Sequence, residues 1–327
     1  MSKRFLVTGG FGFIGSHLVE RLLADGARAH VVDDLSTSPI SLDAFLDLLG
    51  RPAALTHDLC TVLDYCQGNP RDSFDGVFHL ASVVGPVGVL PHAGKIAHMM
   101  INDMTALSDL ASRMGAKIVD VSTSEVYGGG RDGWCSEDDT KLIQANVTVR
   151  LEYAVGKLAA ETALVNRTKV SPLQASIVRP FNVAGPRQSA KGGFVLPRFI
   201  QQALAGEPLT VYHDGTMVRA FTHVSDIVDG ILLAMERGEN GRAYNIGNPR
   251  NKTTILELAK RVLRVTGSRS EISFVDPAAI FGPLFAEAND KYPDASLALR
   301  SLGWDPKHGV DFVIQDMADY IRSGRTA

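Results

Sequence analysis

Cysteine is scarce in this 327-residue chain: Cys60, Cys66 and Cys135 are the only three. Their odd number and the lack of any C-x-x-C spacing argue against a disulfide framework and a structural zinc site, and they suit a reducing compartment. No apolar run approaches the roughly 18 residues that a membrane helix needs. Lys3 and Arg4 lead straight into a strand pattern with no cleavage-site signature, so the expected protein is soluble, uncleaved and cytoplasmic. Neither sign of charge prevails, with 33 basic against 36 acidic side chains and a net charge of -3. That balance argues against a nucleic-acid or membrane-surface partner, so any phosphate must be held locally. Tandem repeats and low-complexity tracts are lacking too.

What is present can bury a large core, since 45% of the residues are hydrophobic. A chain of this size fits one elaborated α/β domain or two lobes. The stretch FLVTGGFGFIGS, Phe5 to Ser16, reads as a buried strand, a turn with Gly9, Gly12 and Gly15 at every third position, and the start of a helix at His17 to Leu23. Such a turn is either plain punctuation or a phosphate cradle, in which backbone approaches a pyrophosphate at a helix N-terminus. The next strand, Ala27 to Asp34, ends in acids about 20 residues further on, where a ribose-binding carboxylate is expected. Asp33 is the best candidate, and it favours NAD over NADP by repelling a 2′-phosphate.

Further strands are expected at Ala53 to Leu59, Phe74 to Ser82, AKIVDVSTS and LQASIVRP, separated by helices at Lys95 to Met114 and Arg150 to Val165. This alternation predicts a Rossmann-type, doubly wound parallel sheet in residues 1–180. Beyond Pro180 the pattern changes. Gly- and Pro-punctuated segments alternate with helices at Leu196 to Ala205, Val224 to Arg237 and Thr254 to Thr266, which predicts a smaller α/β substrate-binding lobe over 181–327. Segments near 220–250 are expected to return to the sheet, and SGRTA to form a disordered tail. The methionines at 99, 100 and 104 read as helix core or a helix-helix interface.

Tyr153 and Lys157 stand four apart on one helical face, where an ammonium would lower the phenol pKa and prepare a general base. The pair gains meaning from DVSTSEVYGGG, which gathers Ser122, Thr123, Ser124 and Glu125 at a strand's carboxyl end, the edge of an open sheet where ligands sit. TGGFGFIG, VVDD, VFHLAS, STSEVYG, YAVGK, RPFNVAGPRQ, GEPLTVYHDG and VRAFTHVSDIVDGI together resemble the extended short-chain dehydrogenase/reductase family. The likeness is to its nucleotide-sugar epimerase, dehydratase and decarboxylase branch, and it runs from Thr8 to the PDAS and LGW segments near residue 300.

That resemblance implies a tightly held NAD that oxidises a sugar at C4 and is regenerated in each cycle. Tyr153 would take the C4 hydroxyl proton, Lys157 would hold the nicotinamide ribose, and Thr123 would bond the sugar near O4, with Ser124 and Glu125 beside it. Gly9, Gly12, Gly15, Phe11, Phe13 and Ile14 would form the phosphate end. Asp33, with Asp34 and Ser36, would take the adenosine ribose, and Asp58 with Leu59 the adenine. Leu80, Ala81, Ser82, Ser122 and Pro180 would line the central groove. For a UDP-sugar substrate, Asn182 would lie near the diphosphate, Phe194 and Val195 near the nucleotide, Thr210 and Tyr212 at the base, and Arg219 on the phosphates. Lys291 stands where relatives often carry arginine.

The T-S-E triplet departs from the T-D-E of one large dehydratase group. FNVAG departs from the FNHES of another. T-S-E and VRAFTHVSDIV are similar to UDP-glucuronate decarboxylases, whose usual YDEGK helix differs from YAVGK. A 4-epimerase needs the least, so the expected activity is UDP-sugar 4-epimerisation, with UDP-glucuronate as substrate and Thr123, Ser124 and Arg187 as donors to its carboxylate. Glu125 is awkward there unless protonated or turned away. Decarboxylation, 4,6-dehydration, a simple reductase and a non-catalytic NAD scaffold remain the alternatives, and the resemblance implies a homodimer through the two long helices.

Overall fold

The computed structural model describes residues 2–128, 133–143, 145, 147–190, 193–281 and 290–324; the last three residues of the expected tail lie outside them. Seven strands form the central sheet: β1 (Arg4–Thr8), β2 (Arg28–Asp33), β3 (Leu55–Leu59), β4 (Gly76–His79), β5 (Lys117–Val121), β6 (Ala175–Pro180) and β7 (Arg242–Ile246). Their spatial order is β7-β6-β5-β4-β1-β2-β3, and every pairing is parallel. The order reverses between β1 and β4, which opens a crevice at the carboxyl ends of those two strands.

Strands buried on both faces must be apolar throughout, and the central ones are. Phe5, Val7, Val119, Val121 and Val178 point into one core, with α1 (Phe13–Ala24) against it, and Leu6, Ile118, Ala175 and Ile177 point into the other. The second core is closed by α2 (Ile96–Met114) and α3 (Val149–Val170). Met100 and Met104 are buried there, whereas Met99 is 40% exposed. Thr148 starts α3 by accepting the Leu151 N–H at 3.1 Å, and this register turns Lys157 and Glu161 inward.

The smaller lobe has its own core. It is formed by α4 (Val195–Ala205), α6 (Ile255–Thr266) and α7 (Val310–Arg322), with a parallel pair of strands, Leu209–Tyr212 and Ile272–Val275. Between α4 and α6 the chain returns to the large sheet through α5 (Val224–Arg237), which supplies Ile227, Val228 and Ile231 to the first core, and through β7. Among the described residues no helix is long and apolar enough to cross a membrane.

Candidate active site

The crevice deepens into a cavity of about 630 Å³ between the sheet edge and the smaller lobe. Gly9, Gly12, Phe13, Ile14 and Gly15 line its floor. Gly9 adopts a φ of 68° and would push a Cβ to 2.6 Å from the Ala81 nitrogen, and a Cβ on Gly15 would come within 2.0 Å of the Gly9 oxygen. A Cβ on Gly12 meets only the Gly9 oxygen, at 3.2 Å, and would otherwise project into the cradle. Gly12 caps α1 without a side chain, and no acid occupies the helix's first turn. Free N–H groups and the positive dipole end therefore face the cavity, a setting that fits a pyrophosphate.

Asp33, Asp34 and Ser36 stand beyond this turn, at the end of β2. Asp33 accepts the Phe11 N–H at 2.9 Å and the Leu35 N–H at 2.8 Å. Burial raises its carboxyl above the usual range, against those two bonds. Phe11 thus contributes through its backbone; its ring is buried beside Phe45 and His57 and does not reach the cavity. Asp58 and Leu59 do not reach it either. Asp58 pairs with His30 at 3.0 Å, Leu59 is 53% exposed, and the wall expected from them is formed by the next four residues, Cys60 to Leu63.

Leu80, Ala81, Ser82, Ser122 and Pro180 line the middle of the cavity, beside Thr123, Ser124, Glu125, Tyr153 and Lys157. Tyr153 and Thr123 share a hydrogen bond. Burial pushes the Tyr153 phenol above its ordinary value, the Thr123 bond opposes this, and Glu125 adds to the rise. The balance is opposite in direction to what a neighbouring ammonium alone would give. Lys157 is buried and donates to the Val121 carbonyl at 3.1 Å. The Ser122 hydroxyl turns inward, to Glu161 at 2.5 Å, and Glu161 is in turn gripped by Arg179.

Glu125 is the most heavily charged point of the wall. Arg150 reaches both of its oxygens at 2.9 Å, and Lys291 donates to Oε1 at 2.5 Å. Burial opposes its ionisation, but Lys291 and Arg150 outweigh that and hold the carboxyl at about 2. The trio therefore carries a net positive charge, and Glu125 does not make the wall anionic. Arg150, at the start of α3, joins the lining, whereas Lys291 stays behind Glu125, 3% exposed, and does not line the cavity.

Asn182, Phe194, Val195, Tyr212 and Arg219 complete the far end. Asn182 takes a left-handed φ of 37° and donates to the Ala220 carbonyl, and such strain tends to gather at functional sites. Tyr212 is stacked by Arg198, whose guanidinium carbon lies 4.0 Å from the ring centre. Two expected residues are elsewhere. Thr210 is tied to Gln202 at 3.0 Å, off the cavity. Arg187 is folded back on α1, bonded to His17 and to Glu20 at 2.7 Å, so it offers no donor to a sugar. Arg198 and Cys60 to Leu63 were overlooked, although Cys60 follows directly on β3 at the sheet's carboxyl edge, where ligand contacts arise.

A glycine cradle at the switch point, a carboxylate at the end of the next strand and a Tyr–Lys pair on the opposite wall fit a dinucleotide-dependent enzyme of the doubly wound α/β class. The chain belongs to the NAD dependent epimerase/dehydratase family, whose sequence profile matches residues 5–247, and NAD is its cofactor. It is 35% identical to a UDP-N-acetyl-alpha-D-glucosaminuronate decarboxylase of Bacillus cytotoxicus, over 98% of each chain. With UDP-glucuronic acid decarboxylase 4 of Arabidopsis thaliana it shares 34%, over 97% of this chain and 69% of that one. Among solved structures it is similar to UDP-glucuronic acid 4-epimerase from Bacillus cereus in complex with UDP-glucuronic acid and NAD, with 25% identity, a TM-score of 0.83, and 98% and 99% of the two chains covered. A UDP-N-acetylglucosamine 4-epimerase from Methanobrevibacter ruminantium M1 gives a TM-score of 0.85 at 25% identity, covering 99% of both chains. The expectation of the nucleotide-sugar branch is met at that level.

Proposed function

We propose that the protein decarboxylates a UDP-hexuronate through oxidation at C4. The observation that carries this reading is the Glu125–Arg150–Lys291 trio on the cavity wall. Its net positive charge admits an anionic sugar, which removes the objection that Glu125 raised, while the ionised carboxylate at its centre opposes close neutralisation of the sugar's own carboxylate. A carboxylate β to a ketone departs as carbon dioxide more readily when it is not firmly ion-paired, because its negative charge must flow into the ketone. The T-S-E triplet and the two decarboxylases of 34% and 35% identity support the same branch.

When bound, NAD supplies the reversible oxidation at C4. Tyr153 is positioned by Thr123 to take and return the O4 proton, and Lys157 anchors the adjoining ribose. Glu125 faces the C5–C6 side of the ring, and Lys291 and Arg150 keep it ionised. Arg219 and Asn182 hold the diphosphate, and the Tyr212–Arg198 stack supports the base.

4-Epimerisation of the same substrate is the second reading. It is favoured by the likeness to the 4-epimerase crystallised with UDP-glucuronic acid and by the room a cavity of about 630 Å³ gives a keto-sugar to turn. One experiment separates the two. Purified protein is incubated with UDP-glucuronate and with UDP-glucose, and products are followed by NMR. UDP-xylose with release of carbon dioxide is the expected result; UDP-galacturonate without gas would replace decarboxylation by epimerisation, and a 4-keto-6-deoxy product would point to dehydration.

A further inference from the structure

Beneath the cavity the sheet carries a row of polar side chains for which the reaction above has no use. Thr8, His79 and Asp120 are register partners on the neighbouring strands β1, β4 and β5, and all three are buried. The Thr8 hydroxyl and His79 Nδ1 lie 2.7 Å apart. Asp120 ends the row at 1% exposure, and neither of its carboxyl oxygens has a hydrogen-bond partner among the described residues. Strand alternation puts Asp120 on the same face as Ile118, toward the core that α2 and α3 close.

From α3, Lys157 and Glu161 reach this face, each 3% exposed. The Lys157 ammonium is fixed on the carbonyl of Val121, the residue after Asp120. Glu161 is already held by Ser122 and by Arg179 from β6, while α2 contributes Asp103 and β4 contributes His79. Burial holds His79 at about 3, with Lys157 adding to this, so its ring stays neutral. Burial raises Asp120, Lys157 pulls it back and Glu161 pushes it further, which leaves the carboxyl at about 6. A buried carboxyl without partners is costly, and an apolar side chain would pack there at less expense to the fold. Its presence next to the Lys157 anchor suggests a use in the site.

We propose that Asp120 is a positioning residue, the buried countercharge of Lys157, which biases the site toward the positively charged oxidised nicotinamide and against its neutral reduced form. The inference does not depend on which product the sugar yields. It needs only NAD and the placement of Lys157. The sign follows from charge: an ionised Asp120 favours NAD+, and the preference fades as pH falls through about 6 and the carboxyl is protonated.

The test exchanges the purified holoenzyme against mixtures of NAD+ and NADH and reads the bound fraction of NADH by its fluorescence from pH 5 to 8. Asp120→Asn and Asp120→Leu are compared with wild type and with Asp103→Asn, which removes the other carboxyl that burial raises to about 6, one that lines the cavity and also faces Lys157. The expected result is a shift of about tenfold toward NADH in both Asp120 variants at pH 8, corresponding to one pKa unit of interaction. Their pH dependence should be lost, while that of Asp103→Asn persists. Thermal stability should hold or rise, since a carboxyl whose folded pKa is raised costs stability progressively as pH climbs from its unfolded value to about 6, and fully above. An unchanged NAD+/NADH preference in Asp120→Asn would overturn the proposal, and so would a fall in stability accompanied by equal losses of both cofactor forms.

Discussion

At one end of the cavity the wall is a single turn, Gly9 to Gly15, whose working groups are backbone N–H groups and the missing side chains themselves. At the other end the decisive contact joins Lys291 to Glu125 across 166 positions of sequence, with Arg150 inserted from the start of α3. The first is a local arrangement that covalent neighbours can specify. The second exists only after the smaller lobe has returned its chain to the sheet. On the proposed function the contrast separates tolerance from chemistry: the cofactor end should fail when volume is added, and the sugar end when charge is altered.

The largest break is expected where the two ends meet. Tyr153→Phe should lower turnover by roughly a thousandfold, within the range for losing a positioned general base, while purified protein still carries NAD. Unchanged activity, measured by NMR of the products, would remove Tyr153 from the mechanism. At the sugar end, Glu125→Gln should lower kcat by about a hundredfold and reduce KM for the uronate, because the site loses a working carboxylate and gains net positive charge. Steady-state kinetics that instead show a raised KM at constant kcat would make Glu125 a binding group only. At the cofactor end, Gly12→Ala should weaken NAD retention by about tenfold, an overpacking cost of one to two kcal/mol, with little change in Tm. Quantifying NAD released from denatured protein checks this. The smallest effect is expected from Arg187→Ala, which should leave KM for the sugar within about twofold and cost about 1 kcal/mol of stability by removing the buried guanidinium's bonds to His17 and to the exposed Glu20 on α1. A tenfold rise in KM would return Arg187 to the substrate site.

Much of the sheet was legible because buried parallel strands are short apolar runs and long helices keep their spacing. Boundaries were less so. The helix expected from His17 begins at Phe13, since the glycine turn supplies its first turn, and the strand expected to run from Phe74 to Ser82 pairs only over Gly76–His79. Among the described residues four α-helices have no counterpart in the sequence pattern: Leu42–Leu48, Val62–Gln67, Pro277–Phe281 and α7. The first three are too short for periodicity to register, and their stability comes from packing. In the site, the resemblance puts Asp58 and Leu59 at the adenine, whereas the cavity wall begins at Cys60, because the sequence says where β3 lies but not which residue first clears its end. The resemblance puts Thr210 at the base and residue type makes Arg187 a donor to the sugar, yet each has a nearer partner in Gln202 or in His17 and Glu20.

By itself the sequence determined the alternating α/β order, the glycine cradle and the one-turn spacing of Tyr153 and Lys157, because each is set by residues adjacent in the chain or one helical turn apart. Only the tertiary structure decided that Glu125 is ionised between Arg150 and Lys291, that burial raises the Tyr153 phenol, and that Asp120 lies unpartnered under Lys157. Charge and proton affinity depend on which groups surround a side chain and how little water reaches it, and those neighbours are brought together by folding.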